Sequence, residues 1–262
     1  MKMNKGNSKI GIVGGAGPYA GLDCAQKILQ ETIAEKDQDY LPTLLVSTPE
    51  LIEDRTKFIL GESKENPAHA ILSNIIDLRD MGATVIGIPC NTAHAPSIKN
   101  VFMEKIEKLE CEIKVLDMIA EIAIFLKKEC PEIKNVGILS TFGTWEAGFF
   151  PDILGKYGYR VFTLGKSLQQ YLHNEALYHH EHGIKVKNDP VTKIARNILL
   201  DGFESLKKQG AEAIVLGCTE IPIGIPERKI DEIFCIDTSL VLARALINEI
   251  KPEKLISWSW HK

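Results

Sequence analysis

The sequence predicts an α/β fold with parallel sheets, divided into two similar halves. Two observations carry this expectation. Short apolar runs of strand length alternate with longer segments of helical spacing, and most of the runs are uninterrupted, as strands buried on both faces of a parallel sheet must be. The second observation is a repeat. Gly82-Ala83-Thr84-Val85-Ile86-Gly87-Ile88-Pro89-Cys90-Asn91-Thr92 is echoed by Gly210-Ala211-Glu212-Ala213-Ile214-Val215-Leu216-Gly217-Cys218-Thr219-Glu220, with the cysteines 128 residues apart. Ile10-Gly11-Ile12-Val13-Gly14 is echoed by Val136-Gly137-Ile138-Leu139-Ser140 at an offset of 126. Two colinear matches at nearly one offset indicate an internal duplication. Halves so related can face each other across a cleft with one thiol on each side, the arrangement that a reaction at both faces of one carbon needs.

Taken in order, Lys9 to Gly14 reads as a buried strand ending in the turn Gly14-Gly15-Ala16-Gly17-Pro18. Pro18 suits a first helical turn, where its missing N–H costs nothing. Leu22, Ala25, Ile28, Leu29 and Ile33 continue that helix to about Lys36. Leu41 to Ser47 is a second strand, followed by a loop from Thr48 to Arg55. A helix over 67–81 leads into the strand 82–89, a further helix covers 96–109, and a short strand spans 113–116. Asp117 begins a helix to about Glu129. The second half restarts with a strand at 134–140, a helix near 145–157, a strand at 159–163, helices near 167–178 and 190–209, and a strand at 211–217. A strand over 233–236 and a helix over 238–250 close the pattern. The expected division is 1–117 with 237–262 for the Cys90 half, and 118–236 for the Cys218 half. In parallel sheets ligands bind beyond the carboxyl ends of the strands, where Cys90, Cys218, the Gly14–Gly17 turn and the Ser140–Thr144 turn all lie.

Composition narrows the function classes. A chain of 262 residues can bury a large core in one domain or two. A net charge of -4, with no basic cluster beyond paired lysines, argues against a nucleic-acid partner. No run approaches the roughly 20 apolar residues of a membrane span. The polar start MKMNKGNSK leads into a glycine-rich strand and not a signal-peptide core, so a cytoplasmic location is expected. Six cysteines include no Cys-x-x-Cys pair and no zinc-ligand spacing. Of these, Cys24, Cys111, Cys130 and Cys235 read as buried free thiols.

Cys90 and Cys218 stand apart from those four. Each follows a buried strand at a matched point of the repeat, beside Asn91-Thr92 and Thr219-Glu220. A thiolate and a thiol together can remove a proton from one face of a carbon and deliver one to the other, their roles exchanging with substrate handedness. The basic member needs its pKa lowered from an ordinary value of about 8.5. An amino-acid α-proton is so weakly acidic that donors already in place must stabilise the charge developing at the carboxylate. Arg55, in Glu53-Asp54-Arg55-Thr56, and Lys185, in Gly183-Ile184-Lys185, are candidate carboxylate grips, and each also reads as a surface charge.

Three other features invite function. His94, four residues after Cys90, opens a cysteine-hydrolase reading, although no third orienting group is evident and a capping or packing histidine is the favoured reading. The run His179-His180-Glu181-His182 suggests a metal, but neighbours on one helix point to different faces, so it is read as surface and no metal is expected. Gly15-Ala16-Gly17-Pro18-Tyr19-Ala20 fits a loose dinucleotide turn. The second strand ends in Ser47-Thr48 and not in the acid a ribose would need, which favours a backbone cradle for a small carboxylate. The tail Trp258-Ser259-Trp260 carries no evident role.

Together these pieces resemble the aspartate/glutamate racemase superfamily, and within it the cofactor-independent aspartate racemase and broad amino-acid racemase group. The resemblance rests on Ile12-Val13-Gly14-Gly15-Ala16-Gly17-Pro18, Glu53-Asp54-Arg55-Thr56, Pro89-Cys90-Asn91-Thr92-Ala93-His94, Leu139-Ser140-Thr141-Phe142-Gly143-Thr144, Gly183-Ile184-Lys185 and Leu216-Gly217-Cys218-Thr219-Glu220-Ile221-Pro222. It implies two α/β sub-domains related by a pseudo-two-fold axis, an active site in the cleft between them, no pyridoxal phosphate, no metal, and a homodimer. It implies that Cys90 and Cys218 are the acid/base residues, and that Asn91, Thr92 and Thr219 bind the substrate's α-carboxylate and amine. Thr141, Gly143 and Thr144 would add to that cradle, Arg55 would hold a distal carboxylate, and Lys185, Glu220, Gly15 and Gly17 complete the expected substrate-binding set.

The chain also departs from its relatives. Ala16 stands where they usually carry methionine, which alters pocket volume, and the glycine turn differs from that of glutamate racemases serving cell-wall synthesis. Retention of both cysteines argues against decarboxylase-like relatives, which keep one thiol. The expected function is racemisation of aspartate or a similar acidic amino acid by two-cysteine proton transfer at Cα. Broad-specificity racemisation and maleate-type isomerisation are the alternatives within the superfamily. A dinucleotide-dependent oxidoreductase and a Cys90–His94 hydrolase are the readings from other classes.

Overall fold

The computed structural model describes residues 8–109 and 113–260, so the expected burial of Cys111 lies outside the described residues. The chain forms two compact units, Met1–Glu121 with Ser239–Trp258 and Ile122–Thr238 with Ser259–Lys262. No helix among the described residues is long and apolar enough to cross a membrane.

The first unit contains β1 (Lys9–Val13), α1 (Pro18–Gln30), β2 (Thr43–Val46), α2 (Arg55–Ile59), α3 (Ala68–Asp80), β3 (Ala83–Gly87), α4 (Pro96–Lys108), β4 (Lys114–Val115) and the start of α5 (Met118–Glu129). Its sheet is wholly parallel, in the order β2-β1-β3-β4. Alternation along the strands sends Ile10, Ile12 and Val85 to one face, where Cys24 and Ile28 of α1 pack with Leu242 and Leu246. Val13 and Ile86 point the other way, into a core with Ile71, Ile75 and Leu78 of α3 and Ile98 and Phe102 of α4.

The second unit contains β5 (Asn135–Ser140), α6 (Phe142–Ala147), α7 (Phe149–Lys156), β6 (Arg160–Thr163), α8 (Lys166–Tyr171), α9 (Lys193–Lys208), β7 (Ala213–Gly217), α10 (Ile221–Gly224), β8 (Lys229–Ile230) and β9 (Ile233–Asp237). α11 (Thr238–Ile250) follows and returns the chain to the first unit. The sheet order is β6-β5-β7-β9-β8. Leu199, Phe203 and Leu206 of α9 pack with Leu139, Ile214 and Leu216, and full burial of a side chain such as Phe203 contributes about 2–3 kcal/mol.

The order β2-β1-β3-β4 of the first sheet recurs as β6-β5-β7-β9 in the second, which is the topology a duplicated chain gives. The paired glycines of the repeat have one physical role. A Cβ at Gly11 would meet Leu78 and Ile86, and a Cβ at Gly137 would meet Leu206 and Ile214. In each unit the helix before the third strand lies too close to the first strand for any larger residue.

The structure differs from the sequence expectation in five places. α1 stops at Gln30, short of Lys36, because the following residues bond elsewhere: Ile33 N–H donates to the Lys254 carbonyl at 2.7 Å. The loop expected over 48–55 runs into the short helix α2, capped by Asp54, which accepts from Lys57 N–H. One helix expected near 145–157 is two, α6 and α7, broken at Gly148 in the left-handed conformation. The helix expected over 167–178 is α8 running into a π-helical segment, Leu172–Leu177. Finally, β8 adds an antiparallel edge to the second sheet. The tail also divides at its end: Trp260 packs on Phe234, ring centroids 4.4 Å apart, and so groups with the second unit.

Candidate active site

In the second unit β7 ends at Gly217 and delivers Cys218 directly to the strand's carboxyl end. The chain turns at once into α10, with Ile221 N–H donating to the Cys218 carbonyl at 3.0 Å. That turn brings Glu220 back beside the thiol. Cys218 Sγ donates to Glu220 Oε2 at 3.0 Å, and the Thr219 hydroxyl donates to the same oxygen at 3.3 Å. The other carboxylate oxygen, Oε1, accepts from Lys185 Nζ at 2.6 Å. The ammonium also lies 5.3 Å from the ring centroid of Tyr178. Cys218, Thr219 and Glu220 are all buried.

The electrostatics of this array follow from burial and pairing. Burial pushes the Cys218 thiol up, and the Glu220 carboxylate pushes it further in the same direction, while Lys185 opposes both. Burial alone would raise Glu220. The Lys185 ammonium, with the hydrogen bonds from Lys185 and Cys218, overrides it and holds the carboxyl down to about 2. For Lys185, burial lowers the ammonium and Glu220 more than restores it, so it stays charged. The site is therefore a protonated thiol donating to a carboxylate whose negative charge is secured from behind. Cys130 and Cys235, by contrast, are buried thiols held up at about 12 chiefly by desolvation.

The turn after β5 is organised separately. Thr141 caps α6 by accepting from Thr144 N–H at 3.2 Å, and its hydroxyl lies 3.0 Å from that of Thr144. Phe142 N–H donates to His173 Nδ1 at 3.2 Å, and the buried Gln169 amide donates to the Ser140 carbonyl at 2.7 Å. The Thr144 N–H of the expected carboxylate cradle is thus engaged within the turn, and the adjoining Phe142 N–H is engaged by His173. Gly143 lies between them and is buried.

In the first unit Cys90 lies three residues beyond the end of β3, buried, at the start of the 3-10 turn Asn91–His94. Its own N–H donates to the Ile88 carbonyl at 2.8 Å, and its carbonyl accepts from Ala93 N–H at 3.1 Å, which fixes the backbone at the cysteine. Asn91 and Thr92 are buried with it. His94 donates from Nε2 to the Ile88 carbonyl at 3.2 Å, while Nδ1 stands 3.6 Å from Asp117 Oδ1. Burial keeps the imidazole neutral against the pull of Asp117. Asp117 is in turn held below its usual range against its own burial, with the Lys99 ammonium and the Ile119 N–H favouring its charged form. His94 thus braces the strand end through Ile88.

The glycine turn is a tight backbone approach. Gly15 has φ +83°, and a Cβ there would lie 2.9 Å from Thr48 N. Arg55, at the first position of α2, donates to the carbonyls of Ala16 and of Glu53, the latter at 3.3 Å. The arginine therefore carries the turn at Gly15–Gly17 on its guanidinium. Sequence reasoning did not find this link, nor the contacts of Tyr178 and Gln169. The position of Glu220, two residues past the cysteine at a tight turn, was the available signal for its contact with the thiol.

Residues 13–246 match the family model for Asp/Glu/Hydantoin racemase. Among solved structures, the aspartate racemase of Picrophilus torridus is 30% identical, with a TM-score of 0.74 over 93% of this chain and 94% of that one. An aspartate racemase homologue from Pyrococcus horikoshii OT3 is 21% identical, with a TM-score of 0.70 over 93% of this chain and 99% of that one. A glutamate racemase from Francisella tularensis, solved with D-glutamate, shares the fold at 17% identity and a TM-score of 0.64, over 97% of this chain and 85% of that one. The chain belongs to the Asp/Glu/Hydantoin racemase family and is an isomerase of the racemase class.

Proposed function

We propose that this enzyme interconverts the enantiomers of an acidic amino acid, aspartate foremost, by proton transfer at Cα between Cys90 and Cys218 and without a cofactor. The observation that carries the reading is the buried array Lys185–Glu220–Cys218, which holds one thiol in its protonated form. Such a thiol is ready to deliver a proton to the carbanion that a Cys90 thiolate would generate, and for the opposite enantiomer the two exchange roles. The matched places of the two cysteines in sheets of the same strand order support the pairing. The choice of aspartate draws on the identity with the Picrophilus torridus enzyme.

The remaining groups have roles consistent with their surroundings. Asn91, Thr92 and Thr219 adjoin the thiols and would hold the α-carboxylate and amine, with Thr141, Gly143, Thr144, Gly15 and Gly17 adding backbone and hydroxyl contacts. Arg55 has a five-donor fork, so it can serve a distal carboxylate while still donating to Ala16. Glu220, negative and facing Cys218, suits the substrate's ammonium and would repel its carboxylates. Lys185 acts chiefly through Glu220. A homodimer belongs to the same reading, and the exposed row Tyr19, Leu22 and Leu29 on α1 offers an apolar surface for it.

Proton NMR in D₂O without added cofactor tests the proposal. L-aspartate is expected to lose its α-proton signal and yield the D-isomer, and Cys90→Ala and Cys218→Ala each abolish racemisation. Single serine variants are expected to exchange the α-proton of one enantiomer faster than that of the other. Normal turnover by the double-alanine variant would sink the two-thiol mechanism. Exchange on glutamate or neutral amino acids alone would move the substrate assignment.

A further inference from the structure

We propose that Glu175, His179 and His182 form a binding site for a divalent transition-metal ion on the turn that leads to Lys185. The three side chains are half-buried, and one ligand atom from each lies within 4.8 Å of the others. His182 Nε2 stands 3.5 Å from Glu175 Oε2, and the His179 and His182 rings stack with centroids 3.6 Å apart. Donors bound at 2.0–2.1 Å in a tetrahedral shell are separated by about 3.4 Å, which the 3.5 Å between His182 Nε2 and Glu175 Oε2 already approaches. His182 Nε2 is shielded from solvent and takes no hydrogen bond among the described residues.

The histidine run does not lie on one helix. Residues 179–182 follow the π-helical segment as a turn, and the argument that neighbouring histidines must diverge does not hold there. The turn is set by backbone bonds. Gly183 N–H donates to the His179 carbonyl at 2.9 Å, Ile184 N–H to Ala176 at 2.9 Å, and Lys185 N–H to Leu177 at 3.1 Å. A Cβ on Gly183 would lie 2.5 Å from His179 N, so glycine is what lets the chain double back and stack the two rings. The Thr192 hydroxyl anchors the His182 carbonyl at 2.8 Å.

Two imidazoles and a carboxylate make a donor set for Zn²⁺, Co²⁺ or Ni²⁺ and not for Mg²⁺ or Ca²⁺, which prefer oxygen alone. Binding through His179 Nδ1 would replace only the 3.2 Å hydrogen bond from Glu181 N–H. A bound ion would tie both ends of the turn and so fix the backbone carrying Lys185. The site stands apart from the thiol chemistry, whether or not Cys90 and Cys218 are the acid/base pair.

The test is titration of the full chain, free of any affinity tag and of metal, with Co²⁺ followed by absorption and with Zn²⁺ followed by calorimetry. One equivalent is expected to bind, with a Co²⁺ spectrum lacking thiolate charge transfer. Affinity is expected to fall by more than about 100-fold in His182→Ala and in His179→Ala, since even outer-shell partners are worth about 10–100-fold. Glu175→Gln weakens binding less, and a Cys90→Ala/Cys218→Ala protein binds as wild type. Circular dichroism establishes that each variant is folded. Should a histidine variant unfold, protection by Zn²⁺ of the amides of residues 176–187 against hydrogen exchange in the wild type supplies the same decision. Absence of binding, binding that survives loss of either histidine, or binding that requires the thiols would overturn the proposal.

Discussion

Replacing Glu220 by glutamine tests the electrostatics of the candidate site most directly. The carboxylate lies 3.0 Å from Cys218 Sγ, and its charge, after burial, is the main force keeping that thiol protonated. At an effective dielectric constant of about 20, two unit charges at that separation repel by about 5 kcal/mol. A glutamine dipole and water entering the altered site reduce the gain on substitution. If only a quarter of it is realised, the thiol becomes about 1 pKa unit more acidic, and the thiolate fraction rises about tenfold. The neighbouring ammonium of Lys185, relieved of its partner, acts in the same direction. The assay is alkylation by iodoacetamide at mildly alkaline pH, resolved by peptide mass spectrometry. Cys218 is expected to react about tenfold faster in Glu220→Gln than in wild type. Cys235, buried in the same unit, serves as the control for unfolding and stays protected. An unchanged or slower Cys218 with Cys235 still protected would refute the claim that the carboxylate holds the thiol protonated.

Other consequences follow from the same geometry. Glu220 has its carboxyl depressed from 4.5 to about 2, so its contribution is complete above pH 4.5 and is lost as pH falls towards 2. That shift corresponds to about 3 kcal/mol, and thermal melts of Glu220→Gln should be less acid-sensitive than wild type over this window. Lys185→Met leaves Glu220 buried without its ion-pair partner and should cost about 3–5 kcal/mol, much of it recovered in Lys185→Met/Glu220→Gln; additive losses in a double-mutant cycle would argue against the coupling. Arg244→Met breaks the buried pair with Glu31 in the first unit, with a similar expected cost, read from the fall in melting temperature. Gly183→Ala forces the turn open, and faster hydrogen exchange at the Ile184 and Lys185 amides is the expected signature.

Much of this protein was legible in the sequence, because the relevant signals are local. Uninterrupted apolar runs and helical spacing are set by which faces of each element are buried, so the alternation of strands and helices could be read directly. The repeat placed Cys90 and Cys218 after corresponding strands, because a duplicated sequence must supply the same strand twice to the same topology. The association of Gly11 and Gly137 with close helix approach belongs to that same duplicated pattern.

The tertiary structure decided what depends on the path of the chain between distant residues. Lys185 lies 35 residues before Glu220, and no spacing rule connects them; only the doubling back at Gly183 brings the ammonium to the carboxylate and keeps that carboxylate charged beside the Cys218 thiol. That Arg55 also donates to the Ala16 carbonyl depends on the fold, since no spacing links residues 16 and 55. The break at Gly148 and the antiparallel β8 likewise answer to packing and edge pairing and not to local propensity. Glu175, His179 and His182 have the i, i+4, i+7 spacing of one helix face, but they stand on a π-helical segment and the turn after it, and only the structure shows their ligand atoms within 4.8 Å of one another. Periodicity is a property of neighbouring residues, and the sequence determined it; electrostatic partnership is a property of where the chain returns, and only folding fixes that.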